Sequence, residues 1–434
     1  MTGAGGVGSE GGSPGPRRRR PLTARVLVAV AVLASLGCAA MAGWTLRAAT
    51  VEPLDDQRRQ QQLAFLDRAL DSGAAEQSQR IFPEGFVFQH ALTGLAHATP
   101  ALPGDQRALA AARKALRAVD SPAGTERFGV ADPPSGAFHA GWSLLLAVQV
   151  SRLSGQAADA GALQARAGAA LDSVRDRLDR DGSPFLDSYP GQSWPVDTVV
   201  LVAALAQADA EVGVEGASTV VDRWRNAASE LTDPTGLLAH RTRADGTALD
   251  GARGSSQALI QTFWPDIDPL GAPDSYSAFL AQFADRCVGL VGIREYPLGR
   301  RGSGDVDSGP LVDGCSASAT AVTLAAAVRA GDLPFAATLD RQAELAWTPT
   351  LTDGRRYVGG QLPVADAFLA WARAQPVGPG PQRDTPHVAW GWWVGLPAAT
   401  SVLCGVLAVL AVRRLRRSGP LREGGRAYPT RPTL

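Results

Sequence analysis

The sequence has few of the residues that build metal sites and disulfide frameworks. Its 434 residues include 4 cysteines and 5 histidines, and no Cys-x-x-Cys or His-x-x-x-His pair occurs. Structural zinc sites use four such ligands at short spacings, so this pattern argues against a zinc-dependent fold. We therefore expect no metal and no cofactor.

An excess of basic residues is also missing from the central part of the chain. Residues 1–46 and 411–434 hold 12 arginines and two acids, which leaves 30 basic and 40 acidic residues between them. Phosphate backbones attract clustered Lys and Arg, so an acidic centre argues against a nucleic acid as partner.

Long apolar runs, in contrast, are present near both ends. Val26–Leu46 and Val388–Val412 are each long enough to cross roughly 30 Å of hydrocarbon, so the lipid bilayer is the expected partner. Arginines lie on the terminal side of each run, whereas Trp44 and Trp390 lie on the opposite side. Arginine is enriched on the cytoplasmic side and tryptophan at the interface, so we predict two membrane passes with both termini cytoplasmic.

This pattern divides the chain into six segments. They are a disordered cytoplasmic tail (1–21), a transmembrane helix (22–46), an extracytoplasmic domain (47–375), a linker (376–387), a transmembrane helix (388–412) and a basic cytoplasmic tail (413–434). Two alternatives for the first helix are a cleaved signal peptide and a lipid-modified Cys38. Cys287 and Cys315 lie in the external domain, where they can form a disulfide or remain two buried thiols.

The domain reads as six pairs of helices, each with an amphipathic helix followed by an apolar one. The predicted pairs are Asp55–Leu70 with Phe86–His97, Asp105–Val119 with Ala137–Leu153, Ala157–Leu178 with Val196–Ala208, Ala217–Leu231 with Ser255–Trp264, Asp274–Cys287 with Ser316–Ala330, and Leu333–Ala346 with Pro363–Ala374. Amphipathic helices lie on surfaces and wholly apolar helices are buried. The pattern predicts an all-α fold, an (α/α)6 toroid, with a helical solenoid as the alternative.

Six loops lead from the outer helices to the inner ones, and we number them by their helix pair. Loops four and six contain strand-turn-strand patterns, at Leu237–Leu249 and Trp347–Val358. These patterns predict small β-hairpins. In a toroid these six loops gather at the end where the inner helices begin. Long loops on one face usually carry the function, so we expect the site there.

Loops three and five hold most of the polar and aromatic side chains. The candidate catalytic residues are Asp187, Asp197, Glu295, Asp305, Asp307 and His139, and the candidate substrate-binding residues are Tyr189, Gln192, Trp194, Arg294 and Tyr296. Carboxylates placed together push their pKa values apart, which makes an acid and a base from one residue type. Alternatively, the aspartates cap helices and turns, and His139 is a hydrogen-bonded core residue. A calcium loop at Asp305–Asp307 is disfavoured because the terminal glutamate is absent.

The chain resembles the six-hairpin toroid superfamily, and within it the linalool dehydratase/isomerase-like family. The likeness covers roughly residues 80–375 and rests on five features: Gly136-Ala-Phe-His139, Asp233-Pro-Thr-Gly236 before a hairpin with Asp245-Gly246, Arg294-Glu295, the Asp/Gly-rich loop after it, and the Ser316–Thr320 helix start. The resemblance implies that His139 corresponds to an active-site histidine. The family's paired active-site cysteines would fall in loop three, where this chain has none.

Three functions are consistent with these observations. The first is a glycan-directed hydrolase or lyase of the cell envelope that uses paired carboxylates, with the aromatic residues as platforms for sugars. The second is a non-catalytic membrane protein that binds a glycan or a partner protein. The third, implied by the resemblance, is a lyase or isomerase acting on a lipid-like alcohol.

Overall fold

The computed structural model describes residues 20–128, 133, 136–181, 183–243, 245–350, 354–380, 388 and 390–417. The predicted terminal tails, most of loop two, part of the linker and the turn of the loop-six hairpin lie outside the described residues. The chain forms two compact units. One consists of residues 1–47 and 390–434, and the other of residues 48–389.

The smaller unit contains two long helices, α1 (Arg20–Thr50) and α16 (Trp390–Arg417). Their segments Ala24–Thr50 and Trp390–Leu415 are long and apolar enough to span a membrane. Both helices extend a few residues beyond the predicted apolar runs, because the flanking arginines and small residues continue the helical backbone.

Hydroxyl groups join these two helices to each other. The Ser35 hydroxyl donates to the Ser401 carbonyl at 2.8 Å, and the Ser401 hydroxyl donates to the Ser35 carbonyl at the same distance. Thr45 donates to the carbonyl of Trp393 at 3.0 Å. Such hydrogen bonds between helices contribute about 1 kcal/mol each in an apolar environment, so they hold α1 against α16.

The larger unit is mostly helical, and its twelve main helices follow the predicted alternation. The outer helices are α2 (Asp56–Asp71), α5 (Gln106–Val119), α8 (Ala157–Asp181), α10 (Ala217–Ser229), α12 (Ala272–Phe283) and α14 (Leu333–Ala343). The inner helices are α4 (Gly85–Ala98), α7 (Gly136–Ser154), α9 (Pro195–Val212), α11 (Gly254–Ile267), α13 (Ala317–Arg329) and α15 (Pro363–Arg373). Two short helices, α3 (Ala74–Ile81) and α6 (Pro122–Thr125), lie between them.

Local sequence explains where these helices begin. The Asp105 carboxylate accepts hydrogen bonds from the backbone N–H groups of Arg107 and Ala108, both at 3.0 Å, and so caps α5. Pro195 starts α9, where its missing N–H costs nothing. α9 is apolar over most of its length and largely buried, as a helix surrounded by other helices must be.

Each inner helix packs against the next one in the chain, and α15 packs against α4. Four aromatic side chains fill the space between them. The ring centroids of Trp142, Phe263 and Trp371 lie 5.8 Å from one another, and Phe88 lies 5.4 Å from Trp142. Aromatic pairs at this spacing stabilise a core beyond their buried area, so the centre of this helix group is closely packed.

The strands lie in the loops. β1 (Arg241–Thr242) pairs with β2 (Ala248–Asp250), and β7 (Trp347–Thr348) pairs with β8 (Arg356–Tyr357), in the two predicted hairpin regions. Loop five contains an unpredicted four-stranded sheet in the order β3-β4-β6-β5, formed by β3 (Ala284–Cys287), β4 (Leu290–Arg294), β5 (Leu311–Val312) and β6 (Cys315–Ser316).

This sheet corrects one predicted helix boundary. The helix expected over Asp274–Cys287 ends at Phe283, and residues 284–287 form β3 instead. Val291, Gly292 and Ile293 on the neighbouring strand β4 complete its hydrogen bonds, so tertiary pairing overrides the helical pattern.

A disulfide joins Cys287 to Cys315, with their Cα atoms 6.2 Å apart. The sequence alone allows either a disulfide or two separate thiols for this pair, and the structure contains the disulfide. The bond closes a segment that begins on β3 and ends on β6, and Glu295, Asp305 and Asp307 all lie inside it. Loop five is therefore fixed at both ends by a covalent link.

A buried group of charged residues links the beginning of the larger unit to its end. It consists of Arg58 on α2, Asp340 on α14, Glu344, Arg355 and Arg373 on α15, and we refer to it as the arginine network. Arg58 contacts Asp340 at 2.8 Å and Glu344 at 2.7 Å, and Arg373 contacts the same two carboxylates at 2.7 and 3.1 Å. Arg355 also pairs with Glu344. Every charge in this network therefore has an opposite partner.

Candidate functional site

Loop three is a tight turn held by its own polar groups. The Gln192 N–H donates to the Tyr189 carbonyl at 2.9 Å, and Gly191 between them has φ 71°, a conformation suited to glycine. The Asp187 carboxylate accepts from the Gly191 N–H at 2.8 Å. The structure thus places Asp187 inside the loop as an acceptor for its backbone, and Gln192 at the exposed tip.

Tyr189 extends from this loop towards loop one. Its hydroxyl donates a hydrogen bond to the carboxylate of Glu84. Its ring stacks on Phe128 with a centroid distance of 5.4 Å, and Trp194 meets its face edge-on at 5.7 Å. Burial and the Glu84 carboxylate raise the pKa of Tyr189 well above its usual value of about 10. The phenol consequently keeps its proton over the physiological range.

Asp197 follows Pro195 in the first turn of α9 and is partly buried. Burial raises the pKa of its carboxyl to about 8, and the nearby carboxylates of Glu84 and Asp307 add to the rise. A hydrogen bond with the Ser188 side chain opposes it. Because burial, and to a smaller extent these two carboxylates, disfavour the charged form, Asp197 holds a proton at neutral pH.

Asp307 lies at the exposed surface of loop five. The loops around its carboxylate remove part of its hydration, and this loss, together with the Glu84 and Asp305 carboxylates, raises its pKa to about 6. Arg253 opposes the rise. The side chain remains open to solvent, which screens these charges. Asp307 is therefore the carboxylate that is ionised at neutral pH and reachable by water.

Asp305 has a different environment because it pairs with Arg253. The Asp305 carboxylate also accepts from the Ser308 N–H at 3.0 Å. Burial opposes its charge, but the Ser308 N–H and Arg253 outweigh burial and lower the pKa of Asp305. Arg253 lies over the ring of Tyr296, 5.3 Å from its centroid, and also pairs with Asp250. Asp305 and Tyr296 thus hold Arg253 in place.

Glu295 is fully buried. Its carboxylate accepts from the Ser255 N–H at 3.2 Å and from the Ser255 hydroxyl at 2.9 Å, at the beginning of α11. Burial raises its pKa to about 7, although these hydrogen bonds favour the charged form. Glu295 is thus directed at the start of a helix rather than at solvent, in the manner of a capping group.

Two candidate residues lie apart from these carboxylates. The Arg294 guanidinium contacts Asp285 at 2.9 Å on the loop-five sheet. The His139 ring is buried and its Nε2 lies 3.0 Å from the carbonyl oxygen of Val119. That geometry assigns the proton to Nε2, and burial lowers the pKa of His139.

We refer to Glu84, Asp197 and Asp307 as the acid cluster. The Glu84 and Asp307 carboxylates both raise the pKa of Asp197, Glu84 also raises that of Asp307, and Tyr189 is hydrogen-bonded to Glu84. Among the described residues, no group of three or more His, Cys, Asp or Glu side chains is arranged to hold a metal ion. The catalytic and binding roles of the candidate residues stay predictions.

Sequence reasoning did not select Glu84 or Arg253. Glu84 lies in Phe82-Pro-Glu-Gly85 just before the first inner helix, the position that acids occupy in loops three and five. That shared position was the available signal. Arg253 likewise directly precedes α11.

No protein-family model matches this chain, and no curated protein matches its sequence.

Proposed function

We propose that the larger unit is an (α/α)6 toroid, as the resemblance to six-hairpin proteins implies. Six apolar helices that contact one another in chain order, with α15 returning to α4, support this arrangement. The loops that precede α4, α9 and α13 then open at one end of the ring. That placement accounts for the effect of the Glu84 carboxylate on the pKa values of Asp197 and Asp307.

We propose further that the chain crosses the cell membrane twice, with both termini cytoplasmic and the toroid outside. Two apolar helices and the arginines at their terminal ends support this topology. The disulfide supports it independently, since such bonds persist in oxidising compartments outside the cytoplasm. The Ser35–Ser401 hydrogen bonds give α1 a structural role as a retained helix.

The function that the acid cluster supports best is hydrolysis of a glycan in the cell envelope. Asp197 carries a proton at neutral pH, whereas Asp307 is ionised and exposed. Glycosidic cleavage needs this combination, an acid that protonates the leaving oxygen and a base that activates water. The contrast between these two aspartates is the observation that carries the proposal.

The reaction follows from those protonation states. Asp197 donates its proton to the glycosidic oxygen as the bond from that oxygen to the anomeric carbon breaks. A water molecule forms the new bond to the anomeric carbon and gives its proton to Asp307. The anomeric carbon therefore inverts its configuration. An inverting mechanism requires roughly 6.5–9.5 Å between the two carboxyl groups. Trp194 and Tyr296 are the proposed sugar platforms.

A purified full-length protein in detergent micelles tests this proposal. We expect it to release reducing ends from a panel of cell-envelope glycans, with no unsaturated products, because hydrolysis adds water across the bond. Asp197→Asn should abolish the release. Asp172→Asn is the matched control, since Asp172 is an exposed aspartate on α8. Unsaturated products would instead indicate a lyase.

A second candidate is a non-catalytic protein that binds a glycan. The aromatic packing among Trp142, Phe263 and Trp371 favours it, because a filled interior leaves only the loops for contact with a ligand. Binding of a glycan from the panel without turnover, and with equal affinity in wild type and Asp197→Asn, would support this role over hydrolysis.

A further inference from the structure

Glu84 lies in loop one, between α3 and α4. It directly precedes α4, whose first residue is Gly85. A Cβ atom at Gly85 would lie 2.4 Å from the backbone carbon of Ser78 on α3, so only glycine permits this approach. The backbone on the C-terminal side of Glu84 is thereby pressed against α3, which limits where the carboxylate can point.

Tyr189 meets this carboxylate from the other side and is itself held on two sides. Phe128 stacks on its ring and Trp194 contacts it edge-on. Its hydroxyl donates to Glu84. Because both groups are restrained, this hydrogen bond aligns loop one with loop three. Asp197 lies only eight residues after Tyr189, so the alignment also affects its position.

We propose that Glu84 is a positioning residue, which holds Tyr189 in place and presents a fixed negative charge to the two aspartates of the reaction. The inference rests on the proposed hydrolase function. Glu84 itself exchanges no proton with the substrate. It acts through Asp197, whose protonated form is favoured mainly by burial and additionally by the Glu84 carboxylate.

The charged and titratable groups around Glu84 are consistent with this role. Tyr189 from loop three, Asp197 from α9 and Asp307 from loop five all have pKa values that the Glu84 carboxylate raises. Arg253 opposes the rise at Asp307 alone. Glu84 is the carboxylate that these three groups share.

The first test is the pH profile of turnover in Glu84→Gln. Glutamine keeps an oxygen that accepts the Tyr189 hydroxyl, so the loops should stay aligned. Removing one nearby negative charge should lower the pKa of both Asp197 and Asp307, and both limbs of the profile should move by about one pH unit towards acid. Glu84→Asp restores the charge and should move the limbs back.

Two control variants separate charge from structure. Tyr189→Phe keeps the Glu84 charge and loses the hydrogen bond, so we expect lower kcat with the limbs displaced less than in Glu84→Gln. Asp172→Asn should leave the profile unchanged. If Glu84→Gln loses activity while both limbs stay in place, Glu84 is merely structural and the inference is wrong.

A second test needs no turnover and so distinguishes this inference from the proposed function. Asp197 should contribute a fall in the melting temperature as pH rises from 5 to 8, because its carboxyl binds a proton more tightly in the folded state than in the unfolded state. Glu84→Gln should flatten that dependence, and the flattening should shrink in an Asp197→Asn background. An equal pH dependence in wild type and Glu84→Gln would overturn the role of Glu84 even in a protein without activity.

Discussion

The acid cluster and the arginine network both contain several carboxylates within one domain. The pKa values of these carboxylates are shifted in opposite directions. Asp340 and Glu344 are buried, which opposes ionisation, yet Arg373 and Arg58 outweigh burial and hold the pKa of both below the usual range. Asp197 and Asp307 have raised pKa values, and burial is the largest cause in both. The direction differs because Asp340 and Glu344 each contact both Arg58 and Arg373, whereas Arg253 offsets only part of the rise at Asp307.

This difference separates two uses of charge. In the arginine network each carboxylate has a cation, so it stays ionised and holds helices together. In the acid cluster the buried carboxylates repel one another electrostatically, which costs stability and creates groups that exchange protons near neutral pH. The same residue types thus serve structure in one place and, as we propose, chemistry in the other.

The largest effect should come from removing the proposed acid. Asp197→Asn should lower kcat by about 10²–10⁴-fold, the usual contribution of a positioned acid or base, without lowering the melting temperature. Asp340→Asn should do the reverse and destabilise the fold. Release of reducing ends and thermal melting, measured on the same preparations, check both variants. Equal loss of stability in the two would remove the distinction between the regions.

Breaking the arginine network should cost nearly as much free energy. Arg373→Met removes a fully buried guanidinium and leaves Asp340 and Glu344 with fewer partners, which should lower the free energy of unfolding by about 3–5 kcal/mol. Denaturant titration of the full-length protein measures it. The exposed pair Lys114–Asp71 provides the control, since Lys114→Met should change stability by less than about 1 kcal/mol.

Removing the disulfide should lower the free energy of unfolding by a smaller amount and should also alter the acid cluster. Its cysteines are 28 residues apart, and a closed segment of that size contributes about 2–4 kcal/mol. Cys287→Ser with Cys315→Ser should lower stability by this amount and also reduce turnover, because Asp307 lies within the segment. Cys404→Ser, at a free cysteine in α16, should leave both unchanged. Full turnover in the double variant would show that loop five holds its shape without the bond.

The smallest expected effect is on the pH dependence of the free energy of unfolding. Asp197 and Asp340 should contribute to it with opposite signs. The folded-state pKa of Asp197 is about 8 and its unfolded value about 3.9, so the folded state binds the extra proton and stability falls as pH rises between them. Asp197→Asn should thus stabilise the protein at pH 8 and lose that advantage towards pH 4. Because Asp197 is partly exposed and titrates together with its neighbours, we expect about 1–2 kcal/mol.

The lowered pKa of Asp340 gives the opposite sign. Its charge contributes stability above the unfolded pKa, and this contribution is lost as pH falls through the folded-state value. Asp340→Asn should therefore cost most at neutral pH and progressively less in acid. Denaturant titration at several pH values compares the two variants directly, and parallel pH curves would contradict the assignment of both regions.

Periodicity in the sequence was sufficient to predict the helices. All twelve main helices overlap their predicted segments, because an amphipathic or wholly apolar pattern reflects which sides of a helix are buried. The loop-five sheet was not predictable in this way. Strands Leu311–Val312 and Cys315–Ser316 are two residues long and pair with each other across Asp313-Gly314, which is too short a pattern to predict a sheet by itself. Cys315–Ser316 also pairs with β4 from the beginning of loop five, and that pairing depends on the tertiary structure.

The candidate site was predictable only in part. Tyr189, Asp197 and Asp307 interact electrostatically in the structure, and their common position near the starts of inner helices was visible in the sequence. Glu84 was missed because a single glutamate in a short loop forms no pattern, and its partner Tyr189 lies 105 residues away. Whether a carboxylate meets a guanidinium or another carboxylate depends on tertiary contacts, so protonation could not be derived from sequence.

The arginine network also has a consequence for how the chain reaches its native state. Arg58 contacts Asp340 and Glu344, which lie 282 and 286 positions later in the chain. During synthesis the first helix pair is made long before the last, and in that interval the partners of Arg58 are limited to local groups such as Asp55 and the Glu52 carbonyl. Contacts between distant positions form slowly because the entropy of closing the loop must be overcome first. We therefore expect the contact between the first and last elements of the domain to form late in folding, with the buried side of both exposed to aggregation until then.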